Sequence, residues 1–77
     1  MARPSRREMN ELAADREKCA ARSARNAESA EAAANDPALP ETTRKQAAAM
    51  VPIARRHAQE YHEEAAALRD GRIPGED

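Results

Sequence analysis

Alanine dominates this chain, and large apolar side chains are scarce. Twenty of its 77 residues are Ala, whereas Leu, Ile and Val together number six, and Phe and Trp are absent. Such a sequence cannot build an ordinary hydrophobic core. No uncharged apolar run approaches the roughly 20 residues that a membrane-spanning helix needs, so we expect no membrane partner. Strand-like runs of β-branched and aromatic residues are missing, and Ala, Glu, Arg, Lys and Gln have high helix propensities, so the composition predicts long helices.

The start and end of a first helix can be predicted from local chemistry. Ser5 to Glu8 form a capping box, in which the Ser5 hydroxyl accepts from the Glu8 N–H and the Glu8 carboxylate accepts from the Ser5 N–H. No Gly or Pro follows until Pro37. The residue before a proline is driven out of the α region. We therefore predict a helix over about 5–35, preceded by a flexible N-terminus at 1–4.

A second helix is predicted over about 41–70, after a short link at 36–40. Pro40 suits the first turn of a helix. Gly71 suits the position just after its end, because glycine adopts the left-handed conformation without strain. Pro52 lies inside this helix and lacks the N–H that would bond the Ala48 carbonyl, so a kink near 52 is expected. Residues 71–77 are predicted to be a flexible tail.

Small and apolar residues recur every seven positions in both helices. Alternating steps of three and four are typical of a coiled-coil seam. The series are Ala13, Ala20, Ala27 and Ala34; Ala47, Ala54, Tyr61 and Leu68; and Val51, Ala58 and Ala65. A short link between two similar rods favours an antiparallel hairpin. The pattern resembles the Ala-rich antiparallel packing called an Alacoil, which is a packing motif and implies no function. Folding about residue 38 would bring Met9 and Leu12 near Leu68.

For an isolated hairpin with this seam, the free energy gained by burial nearly equals the free energy lost by ordering the chain. A buried Ala side chain contributes about 0.8 kcal/mol, whereas ordering a residue costs about 1–2 kcal/mol. We therefore predict an all-α antiparallel two-helix hairpin, an Ala-rich coiled coil, that dimerises into a four-helix bundle or docks on another helical protein. The function predicted is protein–protein association. The interface is assigned to apolar residues that the hairpin is expected to leave uncovered: Met9, Leu12, Met50, Ile53, Tyr61 and Leu68.

Nucleic-acid binding is the alternative function. In the predicted register Arg22 and Arg25 on the first helix lie level with Arg55 and Arg56 on the second, and a dimer would double this band. Against it stands the formal net charge of −1, because nucleic-acid binding usually needs a basic excess. The single aromatic residue, Tyr61, lies on the seam and is not available for base stacking.

Catalysis and metal binding find little support in the sequence. His57 and His62 are five apart, whereas metal-binding His pairs on a helix need a spacing of three or four. The register would place Cys19 near His57, which permits a third hypothesis of thiol or metal chemistry there. A single Cys allows no internal disulfide, and no secretory signal is apparent, so a cytoplasmic setting is expected. We expect no enzyme activity, cofactor, metal or small-molecule substrate, because an Ala seam should leave no room for a cleft.

Overall fold

A computed structural model describes residues 3–74 of the chain. These residues form two helices, α1 (Arg6–Ala34) and α2 (Glu41–Arg69), which pack along each other as a hairpin about 53 Å long. The predicted all-α two-helix hairpin is therefore confirmed. Within the described residues, neither helix contains a stretch apolar enough to cross a bilayer.

The capping box predicted at the start of α1 is present. The Glu8 N–H donates to the Ser5 hydroxyl at 3.1 Å, and the Ser5 N–H donates to the Glu8 carboxylate at 3.2 Å. Two of the backbone donors at the helix start are satisfied in this way. Local sequence alone therefore fixes where the first helix begins.

The link between the helices is a tight turn built on Asp36. The Ala38 N–H donates to the Asp36 carboxylate at 2.9 Å, and the Leu39 N–H donates to the Asp36 carbonyl at 3.1 Å. The resulting turn is not symmetric about residue 38. The buried cluster sets Met9 and Ala13 against Leu68 and Ala65, whose numbers sum to 77 and 78, and the Arg16–Glu64 ion pair gives 80, compared with the predicted 76. The first turn of α2 thus extends beyond the end of α1, and the register differs from the predicted one by at most about one helical turn.

Helix α2 ends just before Gly71, which has the left-handed conformation that the sequence predicts. Gly71 has φ +81°, and the Arg72 N–H donates to the Ala67 carbonyl at 2.8 Å. This Schellman arrangement turns the chain back over the helix. Ile73 then packs against the core instead of extending into solvent as the predicted tail would. The remaining predicted tail, residues 75–77, and residues 1–2 lie outside the described residues.

Pro52 does not divide α2 into two helices. The helix runs as one element from Glu41 to Arg69, with Pro52 on its exposed side. Pro52 has no N–H to donate to the Ala48 carbonyl. Because both residues are exposed, water can reach this carbonyl.

The core lies at the open end of the hairpin, away from the link. Met9, Ala13, Ala65 and Leu68 form a buried cluster in which both alanines are 0% exposed. The middle of the seam contributes only the buried alanines Ala27 and Ala54. Helices that meet through alanine can approach closely, but each contact removes little apolar surface from water. The described part of the hairpin therefore has a thin core along most of its length.

Candidate association surface

The structure divides the six residues assigned to an interface into two groups. Met9 and Leu68 are 5% exposed and belong to the core of the hairpin itself, so the expectation that they remain uncovered is wrong. They face each other because they lie on the seam at the same level of the two helices. Tyr61 is half-buried. The large apolar residues left in solvent are Leu12, Met50 and Ile53, which are 43%, 52% and 46% exposed.

These three residues share one side of the hairpin, which we call the apolar face. Met50, Ile53 and His57 follow each other at steps of three and four, so they form one strip along α2. Glu64, seven residues after His57, continues that strip. It lines a cavity of about 270 Å³ together with Leu12, Leu68 and Ile73. This shared cavity places the Leu12 strip of α1 beside the Met50 strip of α2.

Ile73 belongs to the apolar face but was not among the predicted interface residues. It is half-buried and packs against the core cluster while lining the cavity beside Leu12. The usual apolar position of a Schellman motif, directly after the glycine, is Arg72 here, so the local pattern does not predict the packing of Ile73.

The opposite side of the seam carries an open groove of about 660 Å³. The expectation that an Ala seam leaves no room for a cleft is therefore wrong, since alanines are too small to fill the space between the helices. Its alanine lining comprises Ala20, Ala21, Ala24, Ala27 and Ala58. Glu17, Glu28 and Glu31 line the same groove and make it the more polar of the two sides.

Ion pairs cross the groove near both of its ends. Arg55 donates to the Glu31 carboxylate at 2.6 Å, and the Glu17 carboxylate lies 3.1 Å from His62 Nδ1 and 3.3 Å from Arg69. All of these side chains are at least a third exposed. Exposed pairs of this kind typically contribute about 0–1 kcal/mol each, so they fix the register more than they stabilise the fold.

The four arginines of the nucleic-acid hypothesis differ in whether they form ion pairs. Arg55 pairs with Glu31, and Arg56 lies 3.6 Å from Glu60 on its own helix. Arg22 and Arg25 are exposed on α1, and neither has an ion-pair partner among residues 3–74. Two members of the band are thus neutralised by neighbouring carboxylates.

Cys19 and His57 are not level with each other in the observed register. The buried Met9–Leu68 pair and the Arg16–Glu64 contact place Cys19 opposite residues 58–61, one to four residues from His57. Cys19 is a half-buried free thiol, whereas His57 is exposed. No group of three or more His, Cys, Asp or Glu side chains that could hold a metal ion occurs in the described part of the chain.

No protein-family model, curated protein or solved structure matches this chain. The apolar face and the groove are therefore the two surfaces from which a function can be argued. They differ in chemistry, because the apolar face exposes large aliphatic side chains and the groove exposes alanine and charged groups.

Proposed function

We propose that this chain acts by protein–protein association, through dimerisation of the hairpin into a four-helix bundle. The observation that carries the proposal is the exposure of Leu12, Met50 and Ile53 on one side of the hairpin. The described residues include few large apolar side chains, and about a third of these side chains are exposed on this surface. Covering them would supply the apolar burial that the thin alanine seam lacks.

A second helical pair is the natural complement of the apolar face. Two helices already lie side by side beneath it, and two more would bury it between layers, as in four-helix bundles. Docking on the helices of another protein would use the same residues. A second copy is favoured because it needs no further component to stabilise the fold.

Nucleic-acid binding through Arg22, Arg25, Arg55 and Arg56 has weaker support. Arg55 and Arg56 already pair with carboxylates, and the whole chain has a formal net charge of −1. Binding to a phosphate backbone draws its affinity from uncompensated cations. Association through the apolar face requires no such excess.

The double substitution Met50→Glu/Ile53→Glu tests the proposal. Each dimer would lose four half-exposed apolar contacts of about 1 kcal/mol, so we expect Kd to rise roughly a thousandfold. Light scattering after size exclusion gives the mass, and circular dichroism over a dilution series gives the coupled loss of helix. Ala48→Glu is the matched control, since Ala48 is exposed about half a turn away from Met50 on the same helix.

The proposal expects a dimer that loses helix on dilution, and expects the Ala48→Glu variant to behave like the unaltered chain. A monomer that unfolds cooperatively at micromolar concentration would overturn it. So would equal behaviour of the double variant and the unaltered chain.

A further inference from the structure

The apolar face consists of two separate patches at different levels of the hairpin. The end patch is Leu12 with Ile73, which line one cavity together with Leu68. The middle patch is Met50 with Ile53. Ile53 precedes Leu68 by 15 residues on α2, so the two patches are about 22 Å apart along the helix axis.

A two-fold axis can bring the middle patch of one copy onto the α2 side of the end patch, at Leu68 and Ile73, in a second copy. Symmetric dimers are isologous, so if one region contacts another, the reverse contact must also form. The required axis crosses the hairpin midway between the patches and lies in the plane of the apolar face. On α2 the midpoint between Ile53 and Leu68 is at residues 60–61.

Cys19 lies within one helical turn of this midpoint on α1. The Glu17–His62 and Arg16–Glu64 contacts set it level with residues 60–61, and the buried Met9–Leu68 pair sets it level with residue 58. Cys19 follows Leu12 by seven residues, which places both on the same strip of α1. The two-fold axis therefore passes beside Cys19, and the two copies of this thiol face each other across it.

We propose that the partner of the apolar face is a second copy of this chain in antiparallel orientation, with the two-fold axis beside Cys19. This inference rests on the proposed function and specifies its partner and geometry. In this arrangement Met50 and Ile53 cover the last turn of α2 and Ile73 in the second copy. Each α1 also lies against the other α1, and each α2 against the other α2.

One pair of polar groups on the apolar face suits this arrangement. His57 and Glu64 are equally distant from the midpoint at residues 60–61, so His57 of one copy faces Glu64 of the second. An imidazole N–H can donate to a carboxylate, and symmetry repeats the contact. Glu64 is also 3.2 Å from Arg16 of its own chain, which limits the negative charge brought to the interface.

The parallel arrangement covers the middle patch less well. It would set Met50 and Ile53 against the part of α1 in the second copy that carries Ser23, Asn26 and Ala30. Polar and small side chains there would leave the aliphatic groups without apolar contacts. The antiparallel arrangement instead sets Met50 and Ile53 against Leu68 and Ile73, while Leu12 lies against α1 of the second copy near Asn26, so the gain in apolar burial comes from the two middle patches.

The size of the face is sufficient for a stable dimer. The hairpin measures 53 × 21 × 17 Å, and its broad side contains both helices. That side has a projected area of about 1,100 Å², compared with about 800 Å² per partner in an interface of standard size. With the axis at residues 60–61 the two copies overlap over most of this side, which is enough for an ordinary interface without any additional segment.

Disulfide trapping at Cys19 tests the geometry. Diamide oxidises two facing thiols by accepting their two hydrogens as the sulfurs join, and the product is a covalent dimer. We expect most of the unaltered chain to be trapped in this form, with loss of trapping in Met50→Glu/Ile53→Glu. The matched control is Cys19→Ser/Ala21→Cys, which moves the thiol to the groove on the other side and is expected to remain uncrosslinked.

The outcomes separate this inference from the proposed function. A dimer by light scattering in which Cys19 is trapped no better than the thiol of Cys19→Ser/Ala21→Cys would overturn the antiparallel geometry while self-association stands. A folded monomer in which neither thiol is trapped would overturn both. Preferential trapping of the control thiol would show that the groove, and not the apolar face, is the contact surface.

Discussion

At the scale of single residues, the position of an alanine decides its role. Ala65 is fully buried against α1, whereas its neighbour Ala66 is exposed. The same side chain thus sets the separation of the helices at one position and contributes only helix propensity at the next. Position along the seven-residue repeat distinguishes the two, and the sequence pattern already contains that information.

Ala65→Leu should destabilise the hairpin by about 1–3 kcal/mol, because a larger side chain cannot fit where the backbones approach through alanine. Ala66→Leu is the matched control. It makes the same chemical change on the solvent side, and its expected effect is within about 0.5 kcal/mol of zero. Urea unfolding followed by circular dichroism at one fixed chain concentration measures both. Equal stability of the two variants would mean that the seam at Ala65 is loosely packed.

The burial of single residues shows which features of the core can be predicted from the sequence and which cannot. The periodic pattern correctly places Ala13, Ala65 and Leu68 on the seam, because a seven-residue repeat marks the inward side of a helix. The predicted register also brings Met9 near Leu68, and the two side chains cover each other, so neither is left for a second interface. Met9 is 5% exposed although it was assigned to that interface, because a heptad position does not show how fully a side chain is enclosed.

At the scale of elements, local chemistry sets the helix ends and the link sets the register. The Ser5 capping box and the left-handed Gly71 involve neighbouring residues only, so both can be predicted from the sequence. The stagger between α1 and α2 depends on the backbone path through the Asp36 turn. A symmetric fold about residue 38 misplaces it by at most about one turn, so the predicted levels of Cys19 and His57 are only approximate.

Pro52 destabilises the helix in which it lies. Pro52→Ala restores an N–H donor for the Ala48 carbonyl and removes a ring that crowds it, so it should raise the free energy of unfolding by about 1–3 kcal/mol. Urea unfolding at a fixed chain concentration measures the gain. Gln46→Ala, another exposed position on α2, should change little. A loss of stability or of dimer in Pro52→Ala would show that the proline itself is needed to fit α2 against its neighbours.

At the scale of the whole molecule, charge and apolar area contribute differently to stability. The cross-helix ion pairs are exposed, and the formal net charge is −1. Long-range repulsion and attraction therefore nearly cancel. Most of the remaining stabilisation has to come from apolar burial, of which the seam supplies part and the apolar face, once covered, supplies more.

Two salts should therefore act differently on the unaltered chain. Raising NaCl to about 1 M screens exposed pairs that contribute at most about 1 kcal/mol each, so the melting temperature should change by only a few degrees. Sodium sulfate at equal ionic strength should raise it, because sulfate is excluded from protein surfaces and strengthens apolar burial. Met50→Glu/Ile53→Glu should lose much of the sulfate response, whereas Ala48→Glu should retain it. A steep fall of the melting temperature in NaCl would show that the ion pairs, and not the apolar face, hold the assembly together.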